Sequence, residues 1–256
     1  MRSVGKSDIG LVRKVNEDSF ICEKLEGSKD SYLYIVADGM GGHNAGEVAS
    51  SMAVQEVAAY IRENIEALKL GDKEIQDLIR NAILYANDKV YKTSIIKSSC
   101  LGMGTTLSMV LTKGSNLYIG HVGDSRVYLI RGNEISRLTE DHSLVAELIK
   151  SGTIKPEEAN NHPQKNVITR ALGTEYTLEP DVGQFDMQRG DYILICTDGL
   201  SNAVNEEEMV YTVVNSSDLN EACELLVNKA KENGGFDNIT VVIIQMCKGG
   251  DYNNGR

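Results

Sequence analysis

The sequence predicts an α+β fold in which mostly antiparallel sheets pack beneath helices. Three observations carry this reading. Strand-like apolar runs come in clusters, and two pairs of helix-like stretches fall between those clusters. Glycine-centred turns, Gly114-Ser115 and Gly132-Asn133, join successive runs closely enough to make neighbours antiparallel. No low-complexity tract or linker divides the 256 residues.

In chain order, strands are expected near 3–9, 18–23 and 32–37, followed by the loop Asp38-Gly-Met-Gly-Gly-His-Asn-Ala-Gly46. A helix is expected near 46–66, where Val48, Met52, Val54, Val57, Ala58 and Ile61 fall close to a 3.6-residue period. A second is expected near 73–96, where Ile75, Leu78, Ile79, Ala82, Ile83 and Ala86 do the same. Residues 105–112, 116–122, 126–131 and 134–138 then look like one β-meander. The stretch 141–180 is more polar and helical only in patches, with Pro156 and Pro163 inside it and Pro180 closing it. It reads as an insertion lying over the sheet. Strands resume near 181–187 and 190–197, helices follow near 205–214 and 218–233, and a last strand is expected near 237–246. The expected domain spans 1–247, and 248–256 reads as a disordered tail.

A formal net charge of −11 leaves no basic face to neutralise nucleic-acid phosphates and disfavours an anionic membrane surface. No apolar run approaches the roughly 20 residues of a membrane span. The start, Met1-Arg-Ser-Val-Gly-Lys6, lacks the apolar core of a signal peptide. The cysteines, at 22, 100, 196, 223 and 247, are odd in number and not closely paired, which suits reduced thiols in a cytoplasm better than disulfides or a zinc site. Cys196, inside an apolar strand pattern, reads as a small core residue. The compact single domain suggests a monomer.

Two stretches repeat one pattern. Tyr32-Leu-Tyr-Ile-Val-Ala37 runs into Asp38-Gly39, and Tyr192-Ile-Leu-Ile-Cys-Thr197 runs into Asp198-Gly199. A third run, Leu117-Tyr-Ile-Gly-His-Val122, turns through Gly123-Asp124, and Asp237-Asn238 stands just before Ile239-Thr-Val-Val-Ile-Ile244. Aspartate is a poor strand residue, so four of them at strand ends call for an explanation. If the strands share one sheet, the carboxylates can converge on one edge, where they repel unless a hard cation such as Mg²⁺ or Mn²⁺ sits between them. Each also has a plainer reading: Asp38-Gly39 as an ordinary turn, Asp198 as a helix N-cap, Asp237 as a turn before a strand, Asp124 as a partner for Arg126 or for the turn backbone.

Glycines at 39, 41 and 42 leave the backbone bare, so the Gly39 carbonyl could approach a cation closely. No Gly-Lys-Ser/Thr follows, as a phosphate-binding loop requires, and the alternating acids of an EF-hand are absent. A two-metal site explains the acids without a protein nucleophile. Two cations about 3.5–4 Å apart can share an acidified water and clamp a phosphoryl group, chemistry that serves phosphatases, nucleases and some peptidases. Arg13-Lys-Val-Asn-Glu-Asp18 adds two more acids, Glu17 and Asp18, and an arginine suited to bidentate phosphate contact, although all three are also common surface residues. His43, in the glycine loop, could donate a proton to a leaving group. His121 reads as a core residue, and His142 and His162 as structural or surface residues.

Taken together these pieces resemble a known family, the metal-dependent serine/threonine protein phosphatases of type 2C, in its compact bacterial form. The resemblance runs from about Lys6 to about Met246. The matching pieces are Arg13-Lys-Val-Asn-Glu-Asp18, Val36-Ala-Asp-Gly-Met-Gly-Gly-His43, Gly104-Thr-Thr106, Val122-Gly-Asp-Ser-Arg126, Leu138-Thr-Glu-Asp-His-Ser143, Ile168-Thr-Arg-Ala-Leu-Gly173, Cys196-Thr-Asp-Gly-Leu200 and Asp237-Asn-Ile-Thr240. Any one piece is weakly specific; the set in this order and spacing is highly specific.

The resemblance implies a four-layer αββα sandwich, two central antiparallel sheets flanked by helix pairs. It implies hydrolysis of phosphoserine and phosphothreonine in proteins by a hydroxide bridging two Mn²⁺ or Mg²⁺ ions, with no phosphoenzyme. In this scheme Asp38 bridges the two ions and Gly39 offers its carbonyl to one. Asp198 and Asp237 bind the second, and Glu17 and Asp18 lie around the pair, partly through water. Asp124 with Asp198 holds a third ion, Arg13 anchors the substrate phosphate, and a segment near 142–180 is a flap bordering the site. Implied partners are phosphorylated proteins and a cognate bacterial serine/threonine kinase in cytoplasmic signalling. Eukaryotic members have Asp-Gly-His where Met40 stands here, so the proton donor is open between His43 and a metal-bound water. The alternatives are a catalytically silent regulatory scaffold of the same fold and a two-metal nuclease, the latter disfavoured by the acidic charge.

Overall fold

A computed structural model of the chain describes residues 1–28, 30–41, 45–159 and 162–246. In order these form β1 (Arg2–Asp8), β2 (Asp18–Lys24), β3 (Ser31–Met40), α1 (Ala45–Glu63), α2 (Asp72–Ile96), the two-residue β4 (Gly104–Thr105), β5 (Leu107–Lys113), β6 (Asn116–Val122), β7 (Arg126–Arg131) and β8 (Glu134–Arg137). There follow α3 (Leu144–Lys150), α4 (Pro156–Ala159), β9 (Asp181–Asp186), β10 (Tyr192–Cys196), α5 (Asp198–Ser201), α6 (Glu206–Asn215), α7 (Leu219–Glu232) and β11 (Ile239–Gln245). One sheet has the order β1-β11-β10-β7-β8 and the other β2-β3-β5-β6-β9, with β4 paired to the end of β3. The strand pairs are antiparallel.

The two-residue alternation of each strand assigns the layers. In β3, Leu33, Ile35 and Ala37 pack with α1 and α2, while Tyr34 and Val36 enter the space between the sheets. In β11, Ile239, Val241 and Ile243 pack with α6 and α7, while Val242 and Ile244 meet Tyr34 and Val36 in that same inter-sheet layer. Central strands are therefore apolar on both faces, which suits their β-branched composition. Helices α1 and α2 bury Ala49, Ala53, Val57 and Ile61, and Ile75, Ile79, Ala82 and Ala86. Their small alanines permit a close approach to one another and to the sheet. Helix α6 starts with a capping box between Asn205 and Glu208, and α7 with the Asp218 carboxylate accepting from the Asn220 and Glu221 N–H groups. The result is the four-layer αββα sandwich.

Two expectations change. Helix α1 ends at Glu63, and Ile65–Lys69 forms a separate 3₁₀ turn. The strands between 105 and 138 are not one meander: β5 and β6 belong to the six-stranded sheet, β7 and β8 to the five-stranded one. The chain changes sheets at Gly123, where φ is +109° and a Cβ would stand 2.6 Å from the Cβ of Thr106. The segment after β8 leaves the sheets, carries α3 and α4, closes on itself through the bridge Ser143–Ile168, and touches back on β4 through the bridge Thr105–Leu172. Among the described residues no helix is long and apolar enough to cross a membrane. The expected tail 248–256 lies outside the described residues.

Candidate metal centre

The acids converge, but not along one sheet. Asp38 lies in β3 of the six-stranded sheet, Asp198 and Asp237 adjoin β10 and β11 of the five-stranded sheet, and Asp124 sits in the crossover between the two. The expectation of a shared sheet edge is thus corrected to a site between two stacked sheets. Asp38 is also not a strand end, because β4 pairs with Gly39 and Met40 and carries β3 onward. Register places Asp18 of β2 directly opposite Asp38. Asp18 ties the sheets together: its Oδ2 accepts from the Thr197 hydroxyl at 3.0 Å and the Thr240 hydroxyl at 2.6 Å. The Asp38 N–H donates to Thr106 Oγ1, and the Asp38 carbonyl accepts from Thr105 Oγ1, both at 2.9 Å.

Gly39 is required for close approach rather than for a turn. Its N–H donates to the Glu17 carbonyl at 3.1 Å. A Cβ there would overlap the Gly46 carbonyl and stand 2.6 Å from that of Glu17. The start of α1 is thereby pressed against the β2–β3 pair. Ser50 of α1 adds a hydroxyl donated to the same Glu17 carbonyl at 2.5 Å.

Arg13 Nη2 donates to Asp237 Oδ2 at 2.8 Å, and its Nη1 stands 3.9 Å from Glu17 Oε2. The loop that carries Arg13 is held by Asn238. The Asn238 Oδ1 accepts from the Glu17 N–H at 2.8 Å, and its Nδ2 donates to the carbonyls of Ile9 and Val15 at 3.0 Å each. Sequence reasoning gave Asn238, Thr197, Thr240 and Thr106 no role, although all four stand in the motifs it singled out.

Electrostatically the cluster strains against itself. Burial, then the neighbouring acids, hold Asp38 well above the ordinary carboxylate range. Asp18 is pushed up to about 7 by burial and by Asp198 and Asp237, against the lowering pull of the two threonine hydroxyls. Asp124 rises to about 7 through burial, Asp198 and Asp141. Asp198 is raised by burial and Asp237, and Glu17 by burial against the opposing charge of Arg13. Burial works against the charge of Arg13, and Asp237, Glu17 and Asp38 outweigh it.

These residues fit hard divalent cations. Asp18 Oδ1 and Asp198 Oδ1 are buried with no hydrogen-bond partner among the described residues. The donor set is all oxygen. The acids converge without closing: among the described residues no three carboxylate, imidazole or thiol side chains already surround one point as a coordination shell. Two of them are engaged elsewhere, Asp237 with Arg13 and Asp18 with its threonines.

The sequence pattern of the family described as Protein phosphatase 2C matches residues 12–233. The chain belongs to the protein phosphatase 2C family. It is 40% identical to the serine/threonine phosphatase stp of Listeria welshimeri, over 98% of this chain and 99% of that protein. The fold matches the serine/threonine phosphatase of S. agalactiae with a TM-score of 0.90 at 36% identity, covering 96% of this chain and 99% of the other. It also matches the catalytic domain of the phosphatase PstP in complex with two manganese ions, with a TM-score of 0.83 at 33% identity, covering 96% and 98%.

In this member of the protein phosphatase 2C family Asp198 is not a helix cap, and Asp124 keeps a bond to its turn backbone but not the expected pairing with Arg126. Thr197, not Asp198, occupies the N-cap of α5, and Asp198 instead accepts from Asn202 Nδ2 at 3.1 Å. Arg126 passes over Asp124 and grips Asp141 from Nη2 at 2.7 Å and Nε at 3.0 Å. His121 is buried, with Nε2 3.0 Å from the Glu140 carbonyl and Nδ1 2.9 Å from the Ser108 hydroxyl. His142 accepts from the Gly123 N–H at 3.1 Å and bonds Asp181, a structural role. The candidate proton donor His43 lies outside the described residues. A cleft of about 930 Å³ opens from Asp124 and Asp198 toward the segment of α3 and α4, past Arg126 and Arg170. Arg13 and Asp237 are not in its lining.

Proposed function

We propose that this chain hydrolyses phosphoserine and phosphothreonine in proteins with two divalent cations, Mn²⁺ or Mg²⁺, at the acids and a third through Asp124. The observation that carries this reading is the meeting of five buried or half-buried acids, Glu17, Asp18, Asp38, Asp124 and Asp198, each raised in pKa, beside an Arg13–Asp237 pair. The naming of the Listeria relative as a serine/threonine phosphatase and the two manganese ions of the PstP structure support it.

Asp38, the Gly39 carbonyl, Asp198 and Asp237 would hold the two ions, with Glu17 and Asp18 around them, and Asp124 with Asp198 would hold the third. When bound, such ions polarise a phosphoryl group and lower the pKa of water. Arg13 presents a planar fork to the substrate phosphate and orients it. Asp18, tied to Thr197 and Thr240, keeps the two sheets in register beneath the acids. The segment near 142–180 is the flap, bordering the cleft on the Asp124 side. The substrates would be products of a serine/threonine kinase in the cytoplasm, and the enzyme a monomer. All the acids of the scheme are present in the chain, which weighs against a silent scaffold.

The test is phosphate release from a phosphothreonine peptide against added Mn²⁺, with Asp198→Ala alongside. Release that depends on Mn²⁺ and is lost in the variant is expected. No release at any concentration, or full activity in Asp198→Ala, would overturn the proposal.

A further inference from the structure

We infer that Leu11, Val12 and Phe236 form an apolar rim that selects phosphoproteins carrying an apolar side chain beside the phosphorylated residue. This rests on the phosphatase reading above. The three side chains are 63%, 59% and 74% exposed. Single exposed apolar residues are ordinary on a protein surface. These three are not scattered: Val12 adjoins Arg13 in the chain, and Phe236 adjoins Asp237, so both flank the Arg13–Asp237 pair.

The rim is built, not loose. The Leu11 N–H donates to the Gly235 carbonyl at 2.8 Å, and Asn238 Nδ2 holds the Ile9 carbonyl at 3.0 Å. Leu11 lies against Gly235, where a Cβ would stand 2.9 Å from its Cγ, and the Phe236 ring folds back over Gly234, leaving no room for a Cβ there. Leu11 and Phe236 each rest on glycine backbone on one side and meet water on the other. A preordered apolar surface binds without further loss of side-chain freedom.

Val12 and Phe236 adjoin the two members of the Arg13–Asp237 pair in the chain, so a phosphopeptide seated at Arg13 meets the loops that carry them. The net charge of −11 repels acidic flanks.

The experiment compares two phosphothreonine peptides, one with Leu and one with Ser on both sides of the phosphothreonine, and p-nitrophenyl phosphate, which has no flanking residues. Wild type is expected to favour the Leu peptide in kcat/KM by about tenfold. In the double variant Leu11→Ser with Phe236→Ser the peptide preference should fall close to one, while p-nitrophenyl phosphate and the Ser peptide keep their relative rates. Phe236→Leu should retain most of the preference. A wild type that cleaves all three substrates but shows no peptide preference overturns the rim and leaves the phosphatase reading standing. A preference unmoved in the double variant also overturns it. Cleavage of none of the three at saturating Mn²⁺ overturns both.

Discussion

Arg13 donates to Asp237 with 2.8 Å between Nη2 and Oδ2, so the group proposed to grip phosphate is itself gripped by an acid proposed to hold a cation. On that proposal the two functions would be coupled. Asp237, if drawn to a bound cation, would hold the guanidinium less tightly and leave the Arg13 fork freer for phosphate.

Replacing Arg13 with Ala removes a charge-assisted contact worth about 1.5–3 kcal/mol, so kcat/KM for a phosphothreonine peptide should fall roughly ten- to hundredfold. Arg13→Lys keeps the charge without the planar fork and should recover only part of the loss. Steady-state kinetics on the three proteins decide the matter. A wild-type KM in Arg13→Ala would remove Arg13 from the role of anchor.

Asp38 exposes a conflict between function and stability. It is buried among Asp18, Asp198, Asp237 and Asp124, which repel it. Asp38→Asn relieves that repulsion at nearly constant shape. The metal-free variant should melt a few degrees above metal-free wild type, since each kcal/mol moves Tm by about 2–4 °C at this size. Mn²⁺ at about a hundredfold over Kd should stabilise wild type by about 2.7 kcal/mol and the variant far less. Thermal melts with chelator and with Mn²⁺ test both halves. A variant that melts lower without metal yet responds fully to Mn²⁺ would contradict the assignment.

Much of this was legible in the sequence, and what was not has physical causes. The twin runs ending at Asp38-Gly39 and Asp198-Gly199 declared themselves because aspartate is rare in strands. The apolar period of α1 and α2 gave both helices nearly to their ends. The division of β5–β8 between two sheets stayed hidden because each hairpin alternates in the same way whichever sheet it joins. Thr197, Thr240 and Thr106 are ordinary strand formers, so nothing in their identity announces the hydroxyls that serve Asp18 and Asp38. Arg126 chose Asp141 over its near neighbour Asp124, a choice that only the crossover between the sheets determines.

His121 gives a pH prediction. Burial, then the neighbouring His142, lower its pKa from 6.5 to about 4, with Asp141 and Asp181 pulling the other way. The unfolded chain therefore takes up a proton before the folded one does. The contribution to stability is complete above about pH 6.5 and is lost as the pH falls toward 4. Between pH 7.5 and pH 5 wild type should lose about 2 kcal/mol more than His121→Asn, in which that titration is gone. Urea unfolding at the two pH values measures the difference. Equal losses in the two proteins would show that His121 does not titrate as its burial requires.

Asn238 is the residue whose importance only the fold reveals. Its three hydrogen bonds reach Ile9, Val15 and Glu17, more than 200 positions away, and they suspend the Arg13 loop beside Asp237. Asn238→Ala leaves one N–H and two carbonyls without partners, at about 1–3 kcal/mol for each group that water cannot reach. The expected result is a protein that folds with reduced stability, binds Mn²⁺ with its acids still present, and shows a raised KM because Arg13 is no longer held in place. Asn238→Asp keeps the acceptor for the Glu17 N–H but sets a carboxylate against the carbonyls of Ile9 and Val15, so it should not restore KM. A merely structural role would lower Tm in both variants with KM unchanged, so kinetics on the fraction that remains folded, set beside melts of the same samples, separates positioning from stability.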